Sequence, residues 1–500
     1  MNKTIERLEK PIGRGVEITI GVITWLAITS PIWASYFFPN IIAIFILLMT
    51  FYWFWKSLNY AFAAIFGFYR IYKDSRIKWI ELVKNEKDYQ KLRHIILLPN
   101  YKELEDKLEI TINHILSQTI SPLKIGIVLA MEEREAEKGR EKARHLIEKY
   151  KSKFGDMIAT FHPEIVGEVA GKSSNQAWAG KKAKEYFIDK LGWNLDYTTI
   201  TSCDADSLFP KEYFSCLSYK FLKNEDRYSR FWQGHLTEYS NFKRVILPIK
   251  LMCSMNSVLR MGYSLQGDFF IPYSTYSSSL KLIHEAGYWD VNVIPEDWHM
   301  YMKAFFHKKG EIKTEAINMT IHGDAIEGIN FIDALKNRYI QNRRHAWGVT
   351  DIPYFIKEFM RQPKERFLKK LYVLFRIYEV HFLWPTSWFL LTLGINLPTI
   401  INPALKETVL GYNFSRISGT ILGLSFFFTI FFIVLDRMAR PRETQNETFK
   451  DKILSLLQWV LMPIISLFAT ALPGLDAHTR LMMNKKIEYI VAPKGISKKK

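Results

Sequence analysis

The chain has 500 residues, of which 48% are hydrophobic and 15% aromatic, and its formal net charge is +18. This length accommodates one sizeable catalytic domain together with several membrane spans, and it argues against a single compact soluble domain. A strongly basic chain binds nucleic acid, an anionic membrane surface or an anionic substrate. Nucleic acid is discounted because the lysines and arginines cluster beside the apolar segments, as in the cytoplasmic flanks of membrane spans.

The first apolar segments predict a transmembrane hairpin within residues 1–70. Residues 16–38 and 41–69 are each long enough to cross a bilayer, and the first tolerates Pro31 as a kink. A second apolar segment so soon after the first excludes a cleaved signal peptide. Basic residues before the first span and after the second place both ends of the hairpin in the cytoplasm.

Residues 91–362 carry charges throughout and predict a cytoplasmic α/β domain. Short apolar runs alternate with stretches of helical spacing, which is typical of a parallel sheet with helices on its faces. Ligands bind beyond the carboxyl ends of the strands in such sheets. Three cysteines without zinc-type spacing fit a reducing compartment. We expect strands at 94–99, 124–131 and 198–206, and helices at 103–116 and 132–151.

The C-terminal part predicts a return to the membrane. An interfacial amphipathic helix is expected first, because its apolar residues are mixed with charges. Spans are then expected at 382–397 and 418–435, whereas 453–472 is ambiguous. One further crossing would place the basic tail outside, so a kinked or re-entrant segment around Pro463 is the alternative. We divide this part into an interfacial helix (366–381), transmembrane helices (382–475) and a basic tail (476–500).

Asp204 and Asp206 form an Asp-x-Asp pair at the end of an apolar run. If both lie on a strand, their side chains point the same way and present two carboxylates to one cation. A hard ion such as Mg²⁺ often bridges such carboxylates to a substrate diphosphate. The alternative interpretation is an ordinary turn, where aspartate is common.

Three further motifs have both a chemical and a structural interpretation. The stretch 295–299 contains Glu296 and Asp297, which suit either a general base or the capped start of a helix. The run 341–347 offers arginines for phosphate and an indole for a sugar face, or forms a solvated cationic helix. Gly171-Lys172-Ser173 lacks the spacing of a Walker motif, although a lysine there suits a diphosphate.

In this order, the motifs resemble those of the membrane-embedded family 2 glycosyltransferases, which include cellulose and hyaluronan synthases and polyprenyl-phosphate sugar transferases. The resemblance covers about residues 91–350 by motif. The matching elements, in chain order, are Pro99 to Glu103, Gly171-Lys172, Asp204 with Asp206, Glu296-Asp297 and Gln341 to Trp347.

The resemblance implies a GT-A fold, a nucleotide-diphosphate sugar, Mg²⁺ or Mn²⁺, and inversion at the anomeric carbon. It assigns Asp297 as the base, with Glu296 beside it, and Asp204 and Asp206 as holders of the metal and the diphosphate. It also implies a donor or nucleotide site that is formed by Pro99, Glu103, Lys172, Asp204, Gln341, Arg344 and Trp347. Two departures are that Trp347 comes two positions late, with His345 where tryptophan is usual, and that Glu132 or Glu133 replaces an aspartate after the second strand.

We therefore expect a multi-pass cell-membrane enzyme whose cytoplasmic domain moves a sugar to a glycan or lipid-linked acceptor. Its expected partners are a nucleotide-diphosphate sugar, that acceptor and membrane lipids, and not nucleic acid. Transfer of one sugar to a polyprenyl phosphate is the alternative within the enzyme class. An inactive membrane scaffold or glycan-binding subunit is the alternative from another class, and the presence of all three aspartates disfavours it.

Overall fold

The structure is a computed structural model that describes residues 3–442 and 448–490. The chain forms two compact units. The first comprises residues 1–66, 243–262 and 326–488, and the second comprises 67–242, 263–325 and 489–500. The second unit contains the sheet, and its boundaries differ from the predicted 91–362, because residues 243–262 and 326–362 belong to the first unit.

The helices and strands alternate in the middle of the chain, and helices alone form its two ends. The strands are β1 (Arg93–Pro99), β2 (Ile125–Glu132), β3 (Asp156–His162), β4 (Thr198–Ser202), β5 (Arg230–Thr237), β6 (Tyr276–Ser279) and β7 (Lys313–His322). The helices are α1 (Lys3–Phe37), α2 (Pro39–Asp74), α3 (Trp79–Val83), α4 (Glu105–Leu116), α5 (Ala136–Tyr150), α6 (Lys172–Ala183), α7 (Tyr213–Lys223), α8 (Leu247–Gly262), α9 (Leu280–Glu285), α10 (Glu296–His307), α11 (Phe331–Ala346), α12 (Asp351–Arg361), α13 (Phe367–Thr392), α14 (Leu397–Ile401), α15 (Val409–Phe427), α16 (Thr429–Ala439), α17 (Phe449–Leu457), α18 (Met462–Ser466) and α19 (Leu472–Met482).

The seven strands form one mixed sheet in the order β3-β2-β1-β4-β6-β5-β7. Strands β3, β2, β1 and β4 are parallel to one another, β6 is antiparallel to both of its neighbours, and β7 is parallel to β5. The predicted α/β class is therefore confirmed. The single antiparallel strand is important for the site, because it enters the sheet at the edge where its parallel neighbours end.

The central strands are buried along most of their length because helices cover both faces of the sheet, as is usual for parallel strands. All eight residues of β2 are buried, and so are the five of β4. Helix α5 packs on β2 and β3, while α6 packs on β1, β2 and β3. This burial on both sides explains why β1 and β2 lie within one residue of their predicted positions.

The predicted strand at 198–206 is wrong at its carboxyl end. Strand β4 stops at Ser202, and the acidic residues follow in a turn that is closed by a hydrogen bond from Ser207 N to Asp204 O (3.0 Å). Aspartate and serine side chains compete with a strand ladder for backbone hydrogen bonds and favour such turns. The alternative interpretation of the Asp-x-Asp pair, an ordinary turn, thus describes its backbone correctly.

Four helical stretches of the described chain are long and apolar enough to cross a membrane. They are residues 10–37, 39–74, 409–439 and 452–482. The two spans of the predicted N-terminal hairpin fall within them, except for Phe38, and so do the predicted span at 418–435 and the ambiguous run 453–472. The span predicted at 382–397 does not. Helix α13 begins in the predicted interfacial helix and ends at Thr392, so the apolar part of this helix is too short to cross a bilayer.

Candidate active site

The predicted acidic residues meet at the carboxyl edge of the parallel strands. Strand β4 ends at Ser202, which pairs with Tyr276 at the start of antiparallel β6. The residues immediately before β6 therefore lie beside the turn that follows β4. Asp204 N donates to Thr275 Oγ1 (3.1 Å), and the hydroxyls of Ser207 and Thr275 are 2.7 Å apart. These bonds fix the acidic turn against the segment before β6.

Lys172, the first residue of α6, joins two of the predicted acids. Its Nζ lies 2.6 Å from Asp204 Oδ1 and 2.7 Å from Glu296 Oε1, and it also donates to Ser274 O at 3.1 Å. Only 11% of the lysine side chain is exposed. Burial alone would lower the pKa of Lys172, but the charges of Asp204 and Glu296 raise it well above its usual value. Lys172 is therefore a cation that neutralises two carboxylates.

Asp206 lies in the same turn but has a different partner. Its Oδ2 accepts a hydrogen bond from Asp324 N (2.7 Å), and Asp324 in turn forms an ion pair with Lys107 (2.7 Å). Because the two aspartates follow the strand in a turn, strand geometry does not align their side chains. The structure instead connects Asp204 to Lys172, and Asp206 to the loop after β7.

Asp297 and Glu296 begin α10, as the helix-start interpretation predicted. Asp297 Oδ2 accepts from Ser274 N (2.8 Å), and its Oδ1 accepts from Trp298 N (2.8 Å). Burial and the neighbouring charge of Glu296 raise the pKa of Asp297 to about 7, although these two N–H groups and Lys172 act in the opposite direction. Asp297 is thus a carboxyl group that changes charge near neutral pH.

Ser274 connects the two acidic motifs, and the sequence did not single it out. Its N–H binds Asp297, its hydroxyl donates to Asp204 Oδ2, and its carbonyl accepts from Lys172. Ser274 has a φ of 58°, a left-handed conformation that costs free energy in a residue other than glycine. Gln233 holds this turn from β5, since it accepts from Tyr273 N (2.9 Å) and donates to Thr275 O (3.0 Å).

A second group of polar contacts fixes the start of α10. Asp290 accepts from Lys303 (2.5 Å) and lies 3.0 Å from His299 Nε2, and both of these residues belong to α10. The backbone carbonyl of Asp290 accepts from Ser173 on α6 (2.7 Å). The hydrogen bond with His299 and the ion pair with Lys303 overcome the effect of burial and lower the pKa of Asp290 to about 2. Asp290 therefore connects helix α6 to helix α10 through hydrogen bonds.

The segment Pro99–Glu103 leaves the end of β1 at the same edge of the sheet. Pro99 is the last residue of β1, and Asn100 N donates to Ala130 O on β2 (2.9 Å). Lys142, a buried lysine of α5, donates to Glu103 O (2.8 Å) and pairs with Glu135 (2.5 Å). Lys142 carries no distinct signal in the sequence, because it is one of many charged residues in a stretch that predicts an exposed helix.

The remaining predicted residues belong to the first unit. Gln341 and Arg344 lie on α11, and Trp347 follows directly as the C-cap of that helix. Trp347 is buried, and Asn342 donates to Ala469 O. Helix α11 is therefore not a fully solvated cationic helix. Its assignment to the donor site stays a prediction.

The acidic residues suit a divalent cation that is shared with a ligand. No group of three or more His, Cys, Asp or Glu side chains is placed to hold a metal within residues 3–442 and 448–490. Two carboxylates in one turn nevertheless fit Mg²⁺ or Mn²⁺, because these ions are commonly held by one or two carboxylates together with substrate phosphates. Asp204 and Asp206 are the residues that would hold it.

Residues 199–438 match the family model described as glycosyl transferase family group 2. This stretch contains Asp204, Asp206, Ser274, Glu296 and Asp297. The chain is a glycosyltransferase, and residues 199–438 are the part that matches family group 2. The predicted enzyme class and the family resemblance are thereby confirmed. The comparison with curated proteins found no match.

Solved structures of glycosyltransferases are similar to this one over much of its length. A mannosyltransferase from Pyrobaculum calidifontis, solved with GDP-Man and Mn²⁺, is 13% identical and covers 76% of this chain and 98% of its own, with a TM-score of 0.43. Residues 1–349 of TarS from S. aureus, solved with UDP-GlcNAc, are 12% identical and cover 68% of this chain and 92% of their own, with a TM-score of 0.38.

Proposed function

We propose that this glycosyltransferase moves a sugar from a nucleotide-diphosphate sugar to an acceptor hydroxyl, with inversion at the anomeric carbon. The proposal depends on the environment of Asp297. This residue has a carboxyl group with a pKa of about 7, held in one orientation by Ser274 N and Trp298 N. A general base works best when its pKa lies near the working pH, so Asp297 suits the removal of a hydroxyl proton.

The proposed reaction is a direct displacement. Asp297 takes the proton of the acceptor hydroxyl, the hydroxyl oxygen forms a bond to the anomeric carbon, and the bond from that carbon to the diphosphate breaks. The nucleoside diphosphate leaves with the electron pair. One base and one displacement give inversion, and the leaving group requires positive charge close to it.

Lys172 is the residue of this chain that supplies positive charge in the cluster. Its ion pairs keep an ammonium group beside Asp204 and Glu296. A bound Mg²⁺ or Mn²⁺ would add charge neutralisation at the diphosphate. We assign Asp204 and Asp206 to that ion, and Pro99, Glu103, Gln341, Arg344 and Trp347 to the borders of the donor.

Asp297 also favours a hydroxyl acceptor over a phosphate acceptor. A polyprenyl phosphate is already ionised at neutral pH and needs no base to become nucleophilic. A carboxylate that is aimed at the acceptor would repel it instead. We therefore propose a glycan or a lipid-linked glycan as the acceptor and place transfer to a polyprenyl phosphate second.

The membrane arrangement that we propose has four crossings, corresponding to the four candidate spans. An even number of crossings leaves the sheet-containing domain and the basic tail on the same side of the bilayer. The excess of lysine and arginine beside the spans assigns that side to the cytoplasm. This arrangement removes the conflict between a final span and the charge of the tail.

The test is release of nucleoside diphosphate by purified protein in nanodiscs, with a panel of nucleotide-sugars, a membrane extract as the source of acceptor, and Mg²⁺ or Mn²⁺. We expect release with one donor, loss of release with chelator, and a decrease of roughly 10²–10⁴-fold in Asp297→Asn. Asp206→Ala should weaken metal-dependent donor binding. Asp226→Asn, at an exposed ion pair in the same unit, is the matched control and should leave the rate unchanged.

Two outcomes contradict the proposal. Full turnover in Asp297→Asn with a hydroxyl acceptor would exclude this residue as the base. Transfer to polyprenyl phosphate, but to no hydroxyl acceptor, would make the second candidate correct.

A further inference from the structure

The C-terminal segment contains a tyrosine that lies against the catalytic cluster. Tyr489 comes after the last helix, α19, in a stretch without regular secondary structure. It belongs to the same compact unit as the sheet, Lys172 and the acids. The ring is half-buried, so it is a packed side chain and not a freely solvated one.

The contact is made at Gly171, the residue immediately before Lys172. A Cβ at Gly171 would lie 2.8 Å from Tyr489 Cγ, 3.1 Å from Cδ2 and 3.2 Å from Cβ. These atoms are close to the tyrosine backbone, so a rotation of the side chain alone would not relieve the overlap. The tyrosine ring therefore packs directly on the Cα of Gly171.

Backbone conformation does not explain why position 171 is glycine. The φ of Gly171 is 171°, which is extended backbone that any residue adopts. Space is the reason, because the ring of Tyr489 occupies the volume that a side chain would need. Gly171 and Tyr489 thus form a complementary pair at the start of α6.

Lys172 is the group that this pair affects. The Tyr489 hydroxyl is among the groups that act on the pKa of Lys172, after burial, Asp204 and Glu296, so the ring is near the ammonium group as well as the glycine. A ring in this position excludes water from the lysine and strengthens its ion pairs with the two acids.

We infer that Tyr489 is a positioning residue of the donor site, which closes the wall beside Gly171 and holds Lys172 in place for the nucleotide-diphosphate sugar. The inference rests on the proposed function, because it assigns Lys172 to the donor. It makes the C-terminal segment a part of the active site. Truncation or displacement of this segment should then act on the donor and not on the acceptor.

The test compares Tyr489→Ala, Tyr489→Phe, Gly171→Ala and the double variant Gly171→Ala/Tyr489→Ala. An aromatic contact contributes about 0.5–1.5 kcal/mol, so Tyr489→Ala should raise the KM for the donor roughly two- to tenfold and leave kcat within about twofold. Tyr489→Phe keeps the ring and should retain the wild-type KM. Glu488→Ala, a change at the preceding exposed residue, is the matched control.

Gly171→Ala tests the contact from its other side. It should reproduce the KM of Tyr489→Ala, because the new methyl group displaces the ring. The double variant should be no worse than either single variant, since both remove the same contact. A donor KM unchanged in Tyr489→Ala, or two single effects that simply add in the double variant, would overturn the inference.

A readout independent of turnover separates this inference from the proposed function. The first bond of α6 runs from Asn175 N to Gly171 O (3.2 Å). Hydrogen exchange of the amides from 172 to 175 should be faster in Tyr489→Ala than in wild type and Tyr489→Phe. Faster exchange in a protein that turns over no donor would contradict the proposed function while the contact stands, whereas unchanged exchange would refute the contact itself.

Discussion

Replacing Lys172 by methionine tests whether this lysine neutralises the acidic cluster. Methionine keeps most of the volume but removes the ammonium group, and Asp204 and Glu296 then lack a counter-charge in a site where the lysine is 11% exposed. Removing one partner of a buried ion pair costs about 3–5 kcal/mol. For a unit of this size, about 1 kcal/mol shifts the melting temperature by roughly 2–4 °C, so we expect a loss of about 6–20 °C.

The pH dependence of this loss has a defined sign. Lys172 lowers the pKa of Asp297, which burial and Glu296 raise to about 7, so removing the lysine raises that pKa further. A carboxyl group with a raised pKa in the folded protein loses its stabilising contribution as the pH rises through that value. Lys172→Met should therefore be less stable relative to wild type at pH 8 than at pH 6.

The assay is thermal unfolding of the full chain in detergent with chelator present, at both pH values. Lys182→Met is the matched control, because Lys182 lies on the same helix and pairs with Glu185 at the surface, with 45% of its side chain exposed. Exposed pairs contribute little to stability, so this control should melt close to wild type. In a separate measurement without chelator, Mn²⁺ should stabilise Lys172→Met more than wild type, since the ammonium no longer competes for Asp204. A Lys172→Met protein that melts like the control would refute the reasoning.

Four further predictions concern single side chains. The kcat/KM of the wild-type enzyme should rise with pH through about 7, because only ionised Asp297 accepts a proton, and a flat profile between pH 5 and 8 would exclude this base. In chelator at pH 8, Asp297→Asn should melt at a higher temperature than wild type. The pKa of Asp297 is about 7 in the folded protein and lower in the unfolded chain, so keeping this carboxyl ionised at pH 8 costs folding free energy that asparagine does not cost. Ser274→Gly should be about 1 kcal/mol more stable than Ser274→Ala by denaturant titration, since glycine tolerates a φ of 58°. In the first unit, buried Glu379 pairs with both Lys56 and Arg376. Lys56→Met should therefore destabilise the protein by less than the about 3–5 kcal/mol that loss of a lone buried partner costs, and adding Glu379→Gln should recover much of this loss.

The parts of the fold that the sequence predicted best are those with one dominant physical cause. Strands β1 and β2 are apolar on both faces because helices cover both sides, so their positions follow directly from composition. The N-terminal hairpin is equally clear because its length and hydropathy match a bilayer. Helix α13 is less clear, since charged and apolar residues alternate along it and give no sharp boundary.

The sequence predicted several residues of the site but not the contacts between them. Asp204 and Glu296 were both identified, yet only the fold shows that one lysine binds them both. Ser274 carries only a weak signal in the sequence, because it is one of many hydroxyl and aromatic residues in the run 266–279. Its role depends on a left-handed backbone and on the entry of an antiparallel strand, and neither is visible in residue spacing.

The arrangement of charges explains why one lysine is central to the cluster. Without a ligand, Lys172 holds Asp204 and Glu296, and it also keeps the pKa of Asp297 from rising beyond about 7. A donor diphosphate would bring negative charge to the same place and draw the ammonium group toward it. Asp204 and Glu296 would then interact less with the lysine and require another cation, and a divalent ion such as Mg²⁺ or Mn²⁺ would suit this need. Three acids and one lysine leave a net negative charge that a divalent cation offsets, so binding of the cation should favour binding of the anionic donor.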